Sequence, residues 1–281
     1  MRCIFCKQTA KKFSSVEHII PESLGNKNFV LPKGFVCDSC NNYFSSKIEK
    51  PFLETGFLQN LRARNFIQSK KGRIPPHQVL LPHIDGIHGL HFGLSGTHKL
   101  DLSVSAARSL FKMKEGTLIL PPGSIPEKRI TSRFVAKAAI ESLTHRLMGT
   151  HGWQEAVIDD PQLDPLREYA RYGNGEKYWP VHIRRIYSEN AYILDGEERY
   201  LITHESDFLF TSPESRLPDG SISSEVYFII ALFGVEFSIN LGGPEIDGYL
   251  KWLQKNNSKS PLYQKPPFPI DDIQGVKYPF S

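Results

Sequence analysis

No cysteine occurs after position 40 in a chain of 281 residues. All four, Cys3, Cys6, Cys37 and Cys40, sit in the opening segment, so disulfides cannot staple the remainder together. No run of eighteen apolar residues is present, which argues against a membrane-spanning helix. Only Met1 and Arg2 precede Cys3; this leaves no room for a secretory leader, and a cytoplasmic location is expected. There is no glycine-rich phosphate loop, no serine-nucleophile arrangement and no internal repeat, which argues against nucleotide triphosphatase, serine hydrolase and solenoid classes. Acidic residues are missing from Gly56 to Ile84, where Arg62, Arg64, Lys70, Lys71 and Arg73 supply five cations. Within it, Leu61 to Arg73 is the expected nucleic-acid-contacting arm or linker.

What is present describes an ordinary folded protein, with 40% hydrophobic and 23% charged residues and length for one large domain or two modest ones. The net charge of +4 hides an asymmetry. Residues 1–73 carry thirteen Lys and Arg against five Asp and Glu, a net of +8, so the remainder carries −4. A local basic excess of this kind favours a polyanionic partner through phosphate neutralisation and counterion release.

The cysteines fall into two matched pairs, Cys3-Ile-Phe-Cys6 and Cys37-Asp-Ser-Cys40. Each Cys-x-x-Cys turn can point two thiolates at one ion, and two turns complete the four-sulfur shell that structural zinc prefers. In a reducing compartment the pattern reads as zinc rather than as disulfides. The thirty residues between the knuckles imply an inserted substructure, and that insertion contains Glu17, His18, Asn26 and Asn28.

Cys3-x2-Cys6, Glu17-His18-Ile19-Ile20-Pro21-Glu22-Ser23-Leu24-Gly25 and Cys37-x2-Cys40-Asn41-Asn42, ending near Ile48-Glu49, resemble the HNH endonucleases of the ββα-metal fold. The likeness is to the zinc-stapled branch whose motif opens with Glu-His, and it covers about residues 3 to 50. The resemblance implies that His18 is the general base for an attacking water. It implies Glu17 as a carboxylate ligand and Asn41 as an amide-oxygen ligand of a catalytic divalent ion, with Asn42 the alternative to Asn41. For the asparagine that braces the histidine loop, Asn28 is the best match and Asn26 the second choice. Oxygen ligands favour magnesium or manganese, and a histidine titrating near neutrality suits proton abstraction at working pH. Neighbouring strand residues point to opposite faces, so Glu17 and His18 can serve one site only where the strand ends or twists.

Asn42 to Glu49 reads as the helix of that fold, with Tyr43, Phe44 and Ile48 apolar, Lys47 on a basic edge, and Glu49 read as a solvent-exposed acid, the alternative being a carboxylate that supports the metal ligands. Ile74-Pro75-Pro76 marks a boundary, dividing a nuclease module at 1–73 from an α+β domain with an antiparallel sheet at 74–281 that selects the substrate or regulates the nuclease. Within the latter, a helix runs to Met148 and Gly149, a second spans Asp164 to Gly173, and strands follow from His182 to Leu241. Val226 to Leu232 is apolar on both faces and therefore a central strand. The proline-rich tail is expected to wrap the surface. The fold class is α+β. The expected activity is metal-dependent hydrolysis of DNA, with RNA not excluded; a homodimer would be a convenient form for cutting both strands. The competing readings are a zinc-stapled module that binds nucleic acid without cutting it, and a gated defence or toxin effector.

Overall fold

A two-stranded hairpin and a helix come first, in the order the cysteine-bracketed motif requires. The computed structural model describes residues 1–69, 71–93, 97–113, 115–123, 126–173, 178–211 and 225–262. Strand β1 (Glu17–His18) pairs antiparallel with β2 (Val30–Leu31), Glu17 opposite Leu31 and His18 opposite Val30. Between them a 3₁₀ turn at Glu22–Leu24 closes on Gly25, whose φ of 95° suits a residue without a Cβ. Helix α1 (Asp38–Phe44) continues through a π-type turn at Ser45–Glu49 into α2 (Lys50–Leu53). The wider turn has a local cause in Pro51, which lacks an N–H and would crowd the carbonyl four residues back. Phe44 and Ile48 are buried beneath this helix and Lys47 is exposed, as the spacing predicts. Helix α3 (Gly56–Arg64) follows.

A three-stranded antiparallel sheet β3–β4–β5 (His77–Leu81, Ile84–Phe92, His98–Asp101) leads into a short α4 (Val104–Leu110), which the sequence reading did not anticipate. Then comes α5 (Lys128–Leu147), in which Phe134, Val135, Ala136, Ala138, Ala139 and Ile140 are all buried. A helix apolar on nearly all sides belongs inside a protein, and α5 lies inside this one. Helix α6 (Asp164–Tyr172) ends at Gly173 in the left-handed conformation, φ 62°, as expected of a terminal glycine. Strands β6 (His182–Arg185), β7 (Tyr192–Asp195), β8 (Glu198–Leu201), β9 (His204–Thr211), β10 (Glu225–Leu232) and β11 (Val235–Asn240) complete the strands. The larger sheet has the order β6-β11-β10-β9, so the doubly apolar β10 is interior. Helix α7 (Asp247–Lys255) covers it through Tyr249 and Leu253. The fold is thus a mixed α+β one, with the cysteine-bracketed region first and antiparallel sheets after it.

One apolar cluster spans the sequence boundary. Ile4, Phe5, Ile19, Phe44 and Phe52 share it with Phe134, Ile140, Leu166, Phe228 and Phe237. At its centre Phe52 of α2 stacks on Phe134 of α5, ring centroids 4.1 Å apart. No helix among the described residues is long and apolar enough to cross a membrane. The expected surface-wrapping tail falls at 263–281, outside the described residues.

Candidate active site

The first knuckle is a tight turn. Lys7 takes a left-handed backbone, φ 58°, directly after Cys6, and its N–H donates to the Cys3 carbonyl at 2.8 Å. The second knuckle is the first turn of α1. All four sulfurs lie within 4.8 Å of one another, Cys6 Sγ and Cys37 Sγ being 3.7 Å apart. Thiolates this close cannot all ionise without a cation. Hydrogen bonding with Cys40 draws the Cys3 thiol down to about 4, and the same contact together with burial drives the Cys40 thiol up. A tetrahedral divalent ion removes that conflict, so the cluster fits structural zinc. Helix α6 grips the knuckle from outside: Arg167 Nε donates to the Ile4 carbonyl at 2.7 Å, and Lys7 pairs with Asp164 at 2.6 Å.

From this staple the chain is led to Glu17 and His18. The Asp38 carboxylate accepts the Ser14 N–H at 2.8 Å and the Ser14 hydroxyl at 2.7 Å, which ties the approach to β1 onto the start of α1. Strand β1 is only two residues long, so it ends at His18. The turn beyond is held by Asn26, whose Nδ2 donates to the carbonyls of Ile20 and Phe29 at 2.6 and 2.8 Å while its Oδ1 accepts the Phe29 N–H at 2.8 Å. Glu17 and His18 thereby line the same open cleft, of about 750 Å³, with Asn41 and Asn42 from α1, Glu49 from the π-type turn, Arg62 from α3, and Lys71 beyond it. Asn41 turns its amide nitrogen to the Val16 carbonyl, 3.5 Å away.

Residues 3–56 match a family model described as HNH endonuclease. Residues 3–56 are an HNH endonuclease domain. No curated protein and no solved structure matches the chain.

The residues picked out from sequence, in the HNH domain and in the basic stretch after it, fall in three groups. Glu17, His18, Asn41, Arg62 and Lys71 meet at the cleft. Lys47 and Arg73 are exposed but do not line it, and Lys70 lies outside the described residues. Three expectations are corrected. The bracing asparagine is Asn26, 1% exposed with three hydrogen bonds, whereas Asn28 is exposed. Arg64 is a structural tie, its guanidinium paired with both oxygens of Glu189 at 2.8 and 2.9 Å and with His77 Nε2 at 2.8 Å. Glu49 is not a solvent-exposed acid.

Glu49 accepts instead from Lys137, a residue sequence reasoning missed. The Lys137 ammonium is fully buried and lies 2.6 Å from Glu17 Oε1, 2.6 Å from Glu49 Oε1 and 3.0 Å from Glu141 Oε2, and it donates to the His18 carbonyl at 3.1 Å. Helix α5 therefore supplies the HNH domain with a cation that touches both of its motif residues. Burial works against that charge, but the attraction of Glu141, Glu17 and Glu49 outweighs it and raises the Lys137 pKa. Burial likewise raises Glu141, with Lys137 opposing. A signal was available: Lys137 and Glu141 are the only charged residues from Phe134 to Thr144, and their i,i+4 spacing puts them on one helix face.

Proposed function

We propose that the HNH domain is a metal-dependent endonuclease that hydrolyses DNA phosphodiester bonds. The observation that carries this reading is the convergence of Glu17, His18 and Asn41, from the end of β1 and the first turns of α1, on one open cleft. His18 is the general base that takes a proton from the attacking water, a role for which imidazole suits near-neutral pH and which typically contributes about 10²- to 10⁴-fold. Glu17 and Asn41 would hold a divalent ion, magnesium or manganese. Their donor set fits: both offer hard oxygens, the Asn41 amide nitrogen is already turned to Val16, and the glutamates around Lys137 outnumber its single positive charge. When bound, such an ion stabilises charge on the phosphate and on the leaving oxygen.

The remaining residues act on these. Asn26 holds the turn after His18, and Lys137 fixes the Glu17 carboxylate through one of its oxygens. Lys71, with Lys47 and Arg73 further out, offers cations to the nucleic-acid backbone, the contact type that dominates affinity. Residues 1–73 form the nuclease module, and residues 74–281 carry substrate selection or regulation in addition to supplying α5.

Cleavage of supercoiled plasmid with magnesium, with manganese and with chelator, beside the His18→Ala variant, tests the reading. Metal-dependent nicking that the variant loses, with zinc content and melting unchanged, is the expected result. A variant that cuts at the wild-type rate overturns the assignment of His18. Wild-type protein that binds nucleic acid but cuts under none of these conditions favours a non-cleaving binding module or a gated effector.

A further inference from the structure

Arg62 lines the cleft as a buried cation. It is 8% exposed, its Nε is buried, and among the described residues its guanidinium has no hydrogen-bond or ion-pair partner. Burial alone lowers its pKa, with no carboxylate acting in the other direction. A buried, unpaired charge costs free energy, and proteins normally pair such groups or leave them in water. Arg64, two residues on, obeys the rule with Glu189; Arg167, also buried, obeys it with Asp164 and backbone carbonyls.

The geometry of α3 makes the contrast sharper. Asn60 donates to the Pro121 carbonyl at 2.8 Å and accepts the Gln78 N–H at 2.7 Å, and Arg64 is tied to Glu189 and His77. Residues 60 and 64 share one helix face, so their contacts to Pro121, Gln78, Glu189 and His77 anchor α3 by that side. Residue 62 lies about 200° around the helix from residue 60, on the opposite side, and lines the cleft that holds Glu17 and His18. Lys71 and Ser69 line the same cleft.

We infer that Arg62 is a preorganised receptor for a backbone phosphate of the nucleic acid that enters this cleft. The inference rests on the nuclease reading for the identity of the polyanion. A guanidinium presents a planar fork matched to two oxygens of a phosphate. Here it is already stripped of most of its water and held on an anchored helix, so contact adds charge-assisted hydrogen bonds with little further desolvation or ordering of the arginine. One consequence separates this role from a structural one. Removing Arg62 relieves the free protein of a largely desolvated charge that no carboxylate pairs and at the same time deprives the substrate of a contact, so stability should not fall while affinity does.

The experiment uses the full chain without magnesium or manganese, so that binding is read apart from cleavage. Wild type, Arg62→Met, Arg62→Lys and the charge control Lys112→Gln, an exposed cation outside the cleft, are titrated against a labelled DNA duplex and a labelled single strand over a salt series, and melted alone. Expected for Arg62→Met is a melting temperature equal to or above wild type, affinity weaker by roughly 10- to 100-fold, and a log–log salt slope shallower by about one. Arg62→Lys should recover the slope but only part of the affinity, because an ammonium lacks the fork. Lys112→Gln should change affinity by no more than about twofold. Inorganic phosphate at equal phosphate concentration should fail to displace the DNA; displacement would mean a site for free phosphate and overturn the assignment. Wild-type affinity in Arg62→Met, or a variant that melts lower while binding normally, overturns the inference alone. Wild-type protein that binds neither nucleic acid overturns the nuclease reading and this inference with it.

Discussion

Asn26 shows how much one side chain can hold. Its amide satisfies two backbone carbonyls and one N–H across the turn between β1 and β2, and it is almost completely buried. Truncating it leaves those backbone groups without partners, and an unsatisfied buried group costs about 1 to 3 kcal/mol. Asn26→Ala should therefore lower stability by about 2 to 4 kcal/mol in denaturant unfolding, while the exposed Asn28→Ala should stay within about 0.5 kcal/mol of wild type. Equal effects from the two would show that the turn is held in another way. The two asparagines are indistinguishable by composition and two residues apart; what separates them is which one faces the carbonyls of Ile20 and Phe29. Lys137 works on the same scale. Replacing it with Met leaves Glu17, Glu49 and Glu141 facing one another in a buried place, and removing one partner of a buried ion pair costs about 3 to 5 kcal/mol. The loss should be visible as a lower denaturation midpoint, and Glu141→Gln introduced beside it should recover part of it by deleting one of the repelling carboxylates; no recovery would mean that the three acids do not act as one network.

Among elements, the cysteine knuckles and α1 form one device. The second Cys-x-x-Cys turn is also the first turn of the helix that carries Asn41, so any change in the knuckle is passed directly to the cleft. Cys37→Ser should release zinc and loosen the segment from Cys3 to Phe44, because structural zinc binding is coupled to folding. Zinc stoichiometry by metal analysis and near-ultraviolet dichroism report the outcome, and unchanged stoichiometry with unchanged melting would contradict a structural ion. The π-type turn after α1 belongs to the same device. Pro51 forces the helix to widen, and Glu49, the last residue of the widened turn, reaches both the cleft and Lys137.

At the scale of the molecule, the HNH domain is not free-standing. Its apolar residues share one core with α5, α6 and β10, Phe52 stacks on Phe134, and α6 grips the first knuckle. A fragment of residues 1–73 would expose that shared face and lose Lys137 altogether. It is expected to bind zinc through its cysteines yet lack a cooperative melting transition, read by calorimetry against the full chain. A fragment that melts cooperatively with native-like amide dispersion would show instead that the first segment folds alone.

The sequence by itself determined the chemistry that sits on short spacings. Two Cys-x-x-Cys turns, Glu17-His18 ahead of Pro21, Asn41 after Cys40 and the apolar run of β10 could all be read along the chain, because a turn or a strand fixes the relation between residues a few positions apart. Tertiary structure alone decided the rest: that Lys137 enters the site from 119 residues beyond His18, that Asn26 rather than Asn28 is the brace, that Arg64 is spent on Glu189 while Arg62 faces the cleft. Those relations depend on which surfaces pack together, and packing is what determines whether a charge is solvated, paired or buried alone; residue type and spacing carry no record of it.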